Sequence, residues 1–473
     1  MRQIQIFMPR SILSFCVSFL LAAGWLLCGT SLPAQSLESI PDRVPEEFRN
    51  SPRIRVEKHS AEAAGMQLLE GRHVLLVTDL ELTDAIRRLP RTVDEAYPMM
   101  CAFFGVEEDP SWKLTVFLMK DREKFRNAGY IPEILPPFKN GFSFNFDCWV
   151  CEQPSDYYRQ HLVLHEMVHS FSSTRLGNAG PNWFAEGMAE FLGMHDFANS
   201  PLRLGFMPPS REAVPYCGRI REIREAAQRG EVWTLEDAVT PDQEDFATNA
   251  VYYWSWGLAW FLENHPKARP AFHALIPQLR LAGSEQEFTR TFLDSLGEDR
   301  IGIEKNWLMF AASVDYDFRL RPMLFDAKTG ISLQEKSAKE RVVQKLRVDH
   351  GWQNTGIRVK KGDQIRIRAK GRFEIARPDG SFWPCEPNGV TVEYLNGQPL
   401  GILLAVILTD AEELTPKIMN DRQTGTFYAP FAVGTSRSLT IPFDGTLLLR
   451  TNVPPAQIEE SRGEFFVEIS ARK

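Results

Sequence analysis

Apolar residues along this chain change their period from one region to the next. After an apolar stretch from Ile12 to Cys28, His73-Val74-Leu75-Leu76-Val77 is a short block of strand type, and Thr83 to Phe104 carries helical spacing. Such strand-like and helix-like runs alternate over residues 71–155, behind an N-terminal extension at 35–70. Gly141 to Val150 alternates apolar and polar positions and reads as one half-buried strand, either an ordinary sheet member or an edge able to pair with an extended peptide. Residues 156–318 are mainly helical and close on a helix from Ile303 to Val314; the mixed, charged stretch 319–344 reads as a linker. From 345 to 473 the period is two. Residues 356–371 alternate around Lys361-Gly362-Asp363, and 445–452 and 463–469 add further strands, a spacing that predicts an all-β sandwich. The expected fold class is multidomain: an α+β domain, with a mixed sheet first and a helical part after it, followed by the sandwich.

The chemistry is concentrated in the helical part. Gln160 to Phe171 contains His165-Glu166-Met167-Val168-His169. Residues four apart share a helix face, so His165 and His169 can point at one ion while Glu166 leans over a water beside it, the arrangement of zinc hydrolases. Leu162, Val163, Leu164, Met167, Val168 and Phe171 surround these polar groups. The helix should therefore be buried, and two buried imidazoles with a buried carboxylate need partners. Catalytic zinc takes three protein ligands. The third is expected on a helix starting near Asn182, its expected N-cap, where Glu186 and Glu190 fall one turn apart on an otherwise apolar element. Glu186 is assigned as the ligand. Glu190 is assigned to hold the far ring N–H of His165 or His169, with an exposed helical glutamate as the alternative. An acidic pair there also calls for something positive opposite. His161, one turn before His165, is too far from His169 to share an ion and is expected to face a carboxylate or solvent; His195 is a weaker substitute for Glu186.

His165-Glu166-x-x-His169 followed by Trp183-Phe184-Ala185-Glu186-Gly187-Met188-Ala189-Glu190 resembles the gluzincin metallopeptidases, the clan of thermolysin and the zinc aminopeptidases, in its peptidase MA-like branch. The resemblance spans roughly residues 70–315. It takes in Trp112 to Leu118 with Asp121 to Phe125 as a strand-then-helix entry, and Tyr252 to Leu262 as a tyrosine-bearing helix. It implies a Zn2+-dependent peptidase in which Glu166 is the general base and Tyr252 donates to the oxyanion, Tyr253 being a rival for that role. An aromatic packed into a helix interface is the alternative for either. The last region resembles the calcium-dependent galactose-binding lectins of bacteria through Trp352-x-x-Thr355-Gly356-Ile357, Pro387-Asn388-Gly389, Leu400-Gly401 and Asp444 to Leu447. It departs from them where calcium would sit: Asn452-Val453-Pro454-Pro455 and Glu460-Ser461-Arg462-Gly463 lack the needed carboxylates. Sandwich architecture is implied; calcium and galactose binding are not.

Arg2 and Arg10 before the first apolar stretch, and Leu32-Pro33-Ala34 after it, predict a secretory signal cleaved after Ala34, with an uncleaved anchor as the alternative. No other membrane segment is expected. Export places the protein in the periplasm or outside the cell. The net charge of −7, spread along the chain, argues against nucleic acid as a partner. Cys101, Cys148, Cys151, Cys217 and Cys385 remain after the signal, and one or two disulfides near the site plus a free thiol are expected. The leading expectation is a secreted zinc peptidase acting on peptide or protein substrates, with a sandwich that attaches to substrate, glycan or cell-surface material. The rivals are a carbohydrate-binding surface protein with a vestigial peptidase-like domain, and hydrolysis of a non-peptide amide.

Overall fold

Leu114-Thr115-Val116-Phe117-Leu118-Met119 forms a strand with every residue buried, the near-continuous apolar run that a strand covered on both faces requires. It is the central strand, β3, of a five-stranded sheet in the order β1-β2-β3-β5-β4. The others are β1 (Gln67–Glu70), β2 (Val74–Thr78), β4 (Gly141–Phe144) and β5 (Asp147–Cys151). The β2-β3 and β3-β5 pairs are parallel; the outer pairs, β1-β2 and β4-β5, are antiparallel. A computed structural model describes residues 53–471 apart from 134, 197–200, 242–244, 246–248, 282, 333–340 and 410–428. The predicted signal segment and its cleavage point lie outside the described residues. Among the described residues no helix is long and apolar enough to cross a membrane.

Two expected boundaries differ from the structure. β1 precedes residue 71, and Arg53 and Ile54 hydrogen-bond to Lys113, Thr115 and Asp147, so part of the extension is built into the sheet. Gly141 to Val150 is a hairpin, not one strand. Asn145, at φ 51°, turns the chain between β4 and β5, and asparagine tolerates that left-handed conformation better than most residues.

Helices α1 (Lys58–Ala63), α2 (Asp84–Phe104) and α3 (Arg122–Asn127) belong to the sheet region. Thr83 caps α2 and Asp121 caps α3 through their side chains. Next come α4 (Asp156–Phe171), capped by Ser155, and α5 (Asn182–Gly193), whose N-cap is Pro181 rather than the expected Asn182. A short ribbon, β6 (His195–Asp196) with β7 (Arg203–Leu204), leads to α6 (Arg219–Arg229), α7 (Leu235–Val239) and α8 (Ala250–Asn264). The helices α9 (Arg269–His273), α10 (Glu285–Ser295) and α11 (Arg300–Ser313) complete the helical part. α4 packs on β4 and β5, α5 lies between α4 and α8, and α6 covers the far side of α8. Gly187 sets the α5–α8 crossing: a Cβ there would lie 3.1 Å from the Ser255 carbonyl oxygen.

The stretch expected as a linker is partly ordered into the fold. It contains α12 (Leu320–Met323), β8 (Ile331–Ser332) and the start of β9 (Val342–Arg347), because Leu320, Met323 and Phe325 are apolar and buried. The strand-rich remainder comprises β10 (Gln353–Val359), β11 (Gln364–Lys370), β12 (Phe373–Ala376), β13 (Phe382–Cys385), β14 (Asn388–Leu395), β15 (Gln398–Thr409), β16 (Phe431–Ala432), β17 (Ser436–Thr440), β18 (Gly445–Thr451) and β19 (Glu464–Ala471). One sheet runs β14-β15-β18-β10-β8 with β16 beside β15; the other runs β17-β11-β19-β9. The Lys361-Gly362-Asp363 turn carries the chain from the first sheet to the second, and the buried faces of both enter a shared core. Gly389 and Gly401, both at positive φ, sit where β14 and β15 meet; a Cβ on Gly401 would lie 2.5 Å from Cys385 Sγ. Asn452 donates to the carbonyls of Leu395, Gln398 and Pro399, and the Arg462 guanidinium lies 4.0 Å from the Phe382 ring centre.

The expected disulfides are absent among the described residues, where all five cysteines are free thiols. Cys148 and Cys151 lie three residues apart on β5 and so point to opposite faces. The Cys148 thiol meets Ser170 on α4, whereas Cys151 accepts from the Arg122 guanidinium.

His265 ends α8 and is 4% exposed, and its Nδ1 accepts from the backbone N–H groups of Lys267 and Ala268. Burial, assisted by the charge of Lys267, lowers its pKa from 6.5 to about 4. The folded state thus resists a proton that the unfolded chain accepts. Its stabilising contribution is complete above pH 6.5 and declines as pH falls from there toward 4. Replacing it by asparagine, His265→Asn, keeps an acceptor and removes the titration. The stability difference between pH 7 and pH 4, from urea unfolding, should shrink by on the order of 2 kcal/mol relative to the parent protein; an unchanged difference would contradict this account.

Candidate functional site

α4 is enclosed over most of its length, and Gln160 to Val168 are all buried. His165 and His169 nevertheless converge on one point. Their Nε2 atoms are 3.1 Å apart, and Glu186 Oε2, from α5, lies 3.4 Å from the first and 3.6 Å from the second. Three ligands at zinc–nitrogen or zinc–oxygen distances in a tetrahedron stand about 3.3 Å from one another. The Glu186 oxygen in this triangle has no hydrogen-bond partner. The three residues expected from the sequence are thus brought together with the spacing and the unsatisfied donor atom that a divalent ion requires.

Electrostatics point the same way. Glu166, Glu186 and Glu190 are each 5% exposed or less, and Arg219, at 9%, is the guanidinium paired with Glu190. Burial alone would raise the Glu186 pKa, but His169 and His165 outweigh it and bring it to about 2. Burial likewise opposes a charge on His165, yet Glu186, Glu190 and Glu166 push its pKa up to about 9. Positive charge is therefore favoured where the triangle's three atoms meet.

Glu166 is held on the side of the sheet. On β4, Phe142 faces the second core cluster while Gly141 and Ser143 face α4. A Cβ on Gly141 would lie 2.2 Å from Glu166 Oε1, so glycine alone lets the strand run beside this carboxyl group. Burial raises the Glu166 pKa, which the charges of His165 and His169 and a hydrogen bond from Ser143 partly offset. A raised carboxyl pKa suits a group that must take and return a proton.

Glu190 has a richer set of partners than expected. Its Oε1 is 3.5 Å from His165 Nδ1, and its Oε2 is 3.2 Å from His161 Nε2, so His161 faces a carboxylate. Its strongest partner is Arg219, at the start of α6, whose Nε donates at 2.8 Å and whose terminal nitrogen donates at 2.5 Å. Burial opposes the charge on Glu190, but Arg219 and then His161 hold its carboxyl well below the usual range. Sequence reasoning asked for a cation opposite the acidic pair without finding it. Arg219 opens the charged run Arg219-Ile220-Arg221-Glu222-Ile223-Arg224 and reads there as a surface arginine.

Tyr252 and Tyr253 separate cleanly. The Tyr252 ring lies 6.5 Å from that of His165, with the Arg219 guanidinium 5.7 Å from its centre. The negative charge of Glu186, then burial, raises its pKa, so the phenol keeps its proton as a donor. Tyr253 feels Arg229 and Glu231 instead and faces away from the site. His195 is also apart: its Nδ1 pairs with the Gly193 carbonyl and its ring stacks on Tyr157.

No family model matches this chain, and neither does any curated protein. Among solved structures it is similar to an aminopeptidase N family protein from Idiomarina loihiensis, at 12% identity over 86% of this chain and 69% of that one, with a TM-score of 0.30. It is also similar to the EclA N-terminal domain, described as a PllA-like lectin, at 24% identity over 28% of this chain and 95% of that one, with a TM-score of 0.20. These neighbours are distant.

Cutting the Glu190–Arg219 pair on one side should be costly. Arg219→Leu leaves a buried carboxylate without its main partner and should lower stability by about 3–5 kcal/mol. Removing both charges, with Arg219→Leu and Glu190→Leu together, should recover part of that loss in urea unfolding. A double variant no more stable than the single one would show that the pair does not couple.

Proposed function

We propose that this protein is an exported zinc-dependent peptidase. The observation that carries the reading is the triangle of His165, His169 and Glu186 with Glu166 beside it. His165, His169 and Glu186 would hold the ion, as two imidazoles and a carboxylate do in metallopeptidase sites. Bound there, zinc supplies Lewis-acid polarisation of a carbonyl and acidifies a water.

The chain's own residues account for the remaining steps. Glu166 accepts the proton of the attacking water and passes it to the leaving amine; its raised pKa favours the return. Tyr252 donates its phenolic proton in a hydrogen bond to the oxygen that gains charge. Glu190, fixed by Arg219, orients His165 through its Nδ1 and acts as a positioning residue. β4 is the edge strand of its sheet and runs beside Glu166, a position suited to pairing with an extended peptide. In this reading the strand-rich region attaches the enzyme to substrate, glycan or cell-surface material.

Glu166→Gln should retain one zinc per chain by elemental analysis while cleavage of a peptide mixture falls by about 10²–10⁴-fold. Tyr252→Phe should lower kcat by roughly 10²-fold with KM little changed. Full activity in Glu166→Gln would eliminate the mechanism. Zinc content of zero in the parent protein, together with no cleavage, would eliminate the assignment.

A further inference from the structure

The outer face of the β17-β11-β19-β9 sheet departs from the character of the whole chain. The protein carries a net charge of −7. On this face β11 presents Arg366, Arg368 and Lys370, because its burial alternates exposed and buried from Gln364 to Lys370. Two strands away, β9 presents Lys345 and Arg347 in the same way, Arg347 being engaged by Asp349 just past the strand end. Between them β19 contributes Glu464 and Glu468 as the acids.

These acids are already committed. Glu464 pairs with Lys345, and Glu468 lies 3.4 Å from Arg341 and 3.7 Å from Arg368. Among the described residues no acid forms an ion pair with Arg366 or Lys370. In the middle stands an aromatic ring. Phe466 is 44% exposed and is the cross-strand partner of both Lys345 on β9 and Lys370 on β11. The Lys345 ammonium lies 5.8 Å from its ring centre. Adjacent strands are about 4.8 Å apart, so the row Lys345-Phe466-Lys370 sets a ring between two cations over about 10 Å. Along β11, successive outward cations are about 6.7 Å apart.

We propose that this face docks an acidic polysaccharide, a chain of sugar rings bearing carboxylates or sulfates. A sugar ring offers an apolar C–H face to Phe466 while an acidic group beside it reaches Lys370, and a second can replace the exposed Glu464 on Lys345. Arg366 takes the acid of a neighbouring unit. A membrane surface fits less well, because interfacial binding needs apolar groups buried into the lipid boundary. Here the Phe466 ring is flanked by two longer charged side chains. A single-stranded nucleic acid fits less well too, because such strands are held by several stacking rings along a groove, and this face carries one ring on an open sheet.

The test uses the full-length protein, with heparin as the sulfated probe, polygalacturonate as the carboxylated one and dextran as the neutral control. Binding to at least one acidic polymer, weakened by salt, and none to dextran is expected. The charge reversal Arg366→Glu with Lys370→Glu should weaken that binding at least about tenfold at low salt. Phe466→Ala should weaken it severalfold while leaving its salt dependence in place. A matched reversal on the sheet region, Arg88→Glu with Lys120→Glu, should leave it unchanged. Whether heparin or polygalacturonate binds more tightly distinguishes sulfate from carboxylate recognition. The proposal fails if neither acidic polymer binds, if the two reversals weaken binding equally, or if Phe466→Ala has no effect. It also fails if duplex DNA or phosphatidylglycerol vesicles are held as tightly as the polysaccharides.

Discussion

Three carboxylates lie buried between two helices of the interior, and the groups near the centre of the helical part are arranged around that fact. Isolated buried charge is too costly to persist. One carboxylate is neutralised by Arg219, which ties α6 to α5. Another converges with two imidazoles on a point that favours a cation. The third, Glu166, is crowded by a strand that carries no side chain where they meet. α4, α5, α6, α8 and β4 are thus held in place partly by packing and partly by this charge problem. That explains why these buried helices contain so many polar groups close together.

The period of the apolar positions made most elements legible. α2 and α4, and the strands β2, β18 and β19, fall where the spacing puts them, because each has one buried face or is buried throughout. Failures occurred where a single residue changes direction without changing the pattern. Asn145 reverses the chain inside a run whose alternation continues on both sides, and Pro181 displaces the start of α5 by one position. The His165, His169 and Glu186 triangle was readable because helical spacing sets the first two and the resemblance to known peptidases supports the third. Arg219 was not, since its exposure depends on how α6 packs and it opens a segment rich in surface charge, Arg221, Glu222 and Arg224. Gly141 was passed over for a related reason: what matters there is an absent side chain, and only the neighbouring helix shows why.

The two regions use charge in opposite ways. At the centre of the helical part it is buried, closely partnered and confined to a few residues. On the outer face of the β17-β11-β19-β9 sheet it is exposed, repeated at strand spacing and mostly of one sign. The first arrangement fixes atoms relative to each other; the second gives a field that a flexible polymer can follow. A chain whose overall charge is mildly negative can therefore still present a locally cationic surface, which no average over the sequence discloses.

The five unpaired thiols have a consequence for what holds the native state together. Cys101, Cys148, Cys217 and Cys385 are buried and Cys151 is engaged by Arg122, so none is joined to another and most are shielded. Among the described residues the native fold contains no cross-link between cysteines. What holds these segments together is packing and hydrogen bonding, neither of which a reductant cuts.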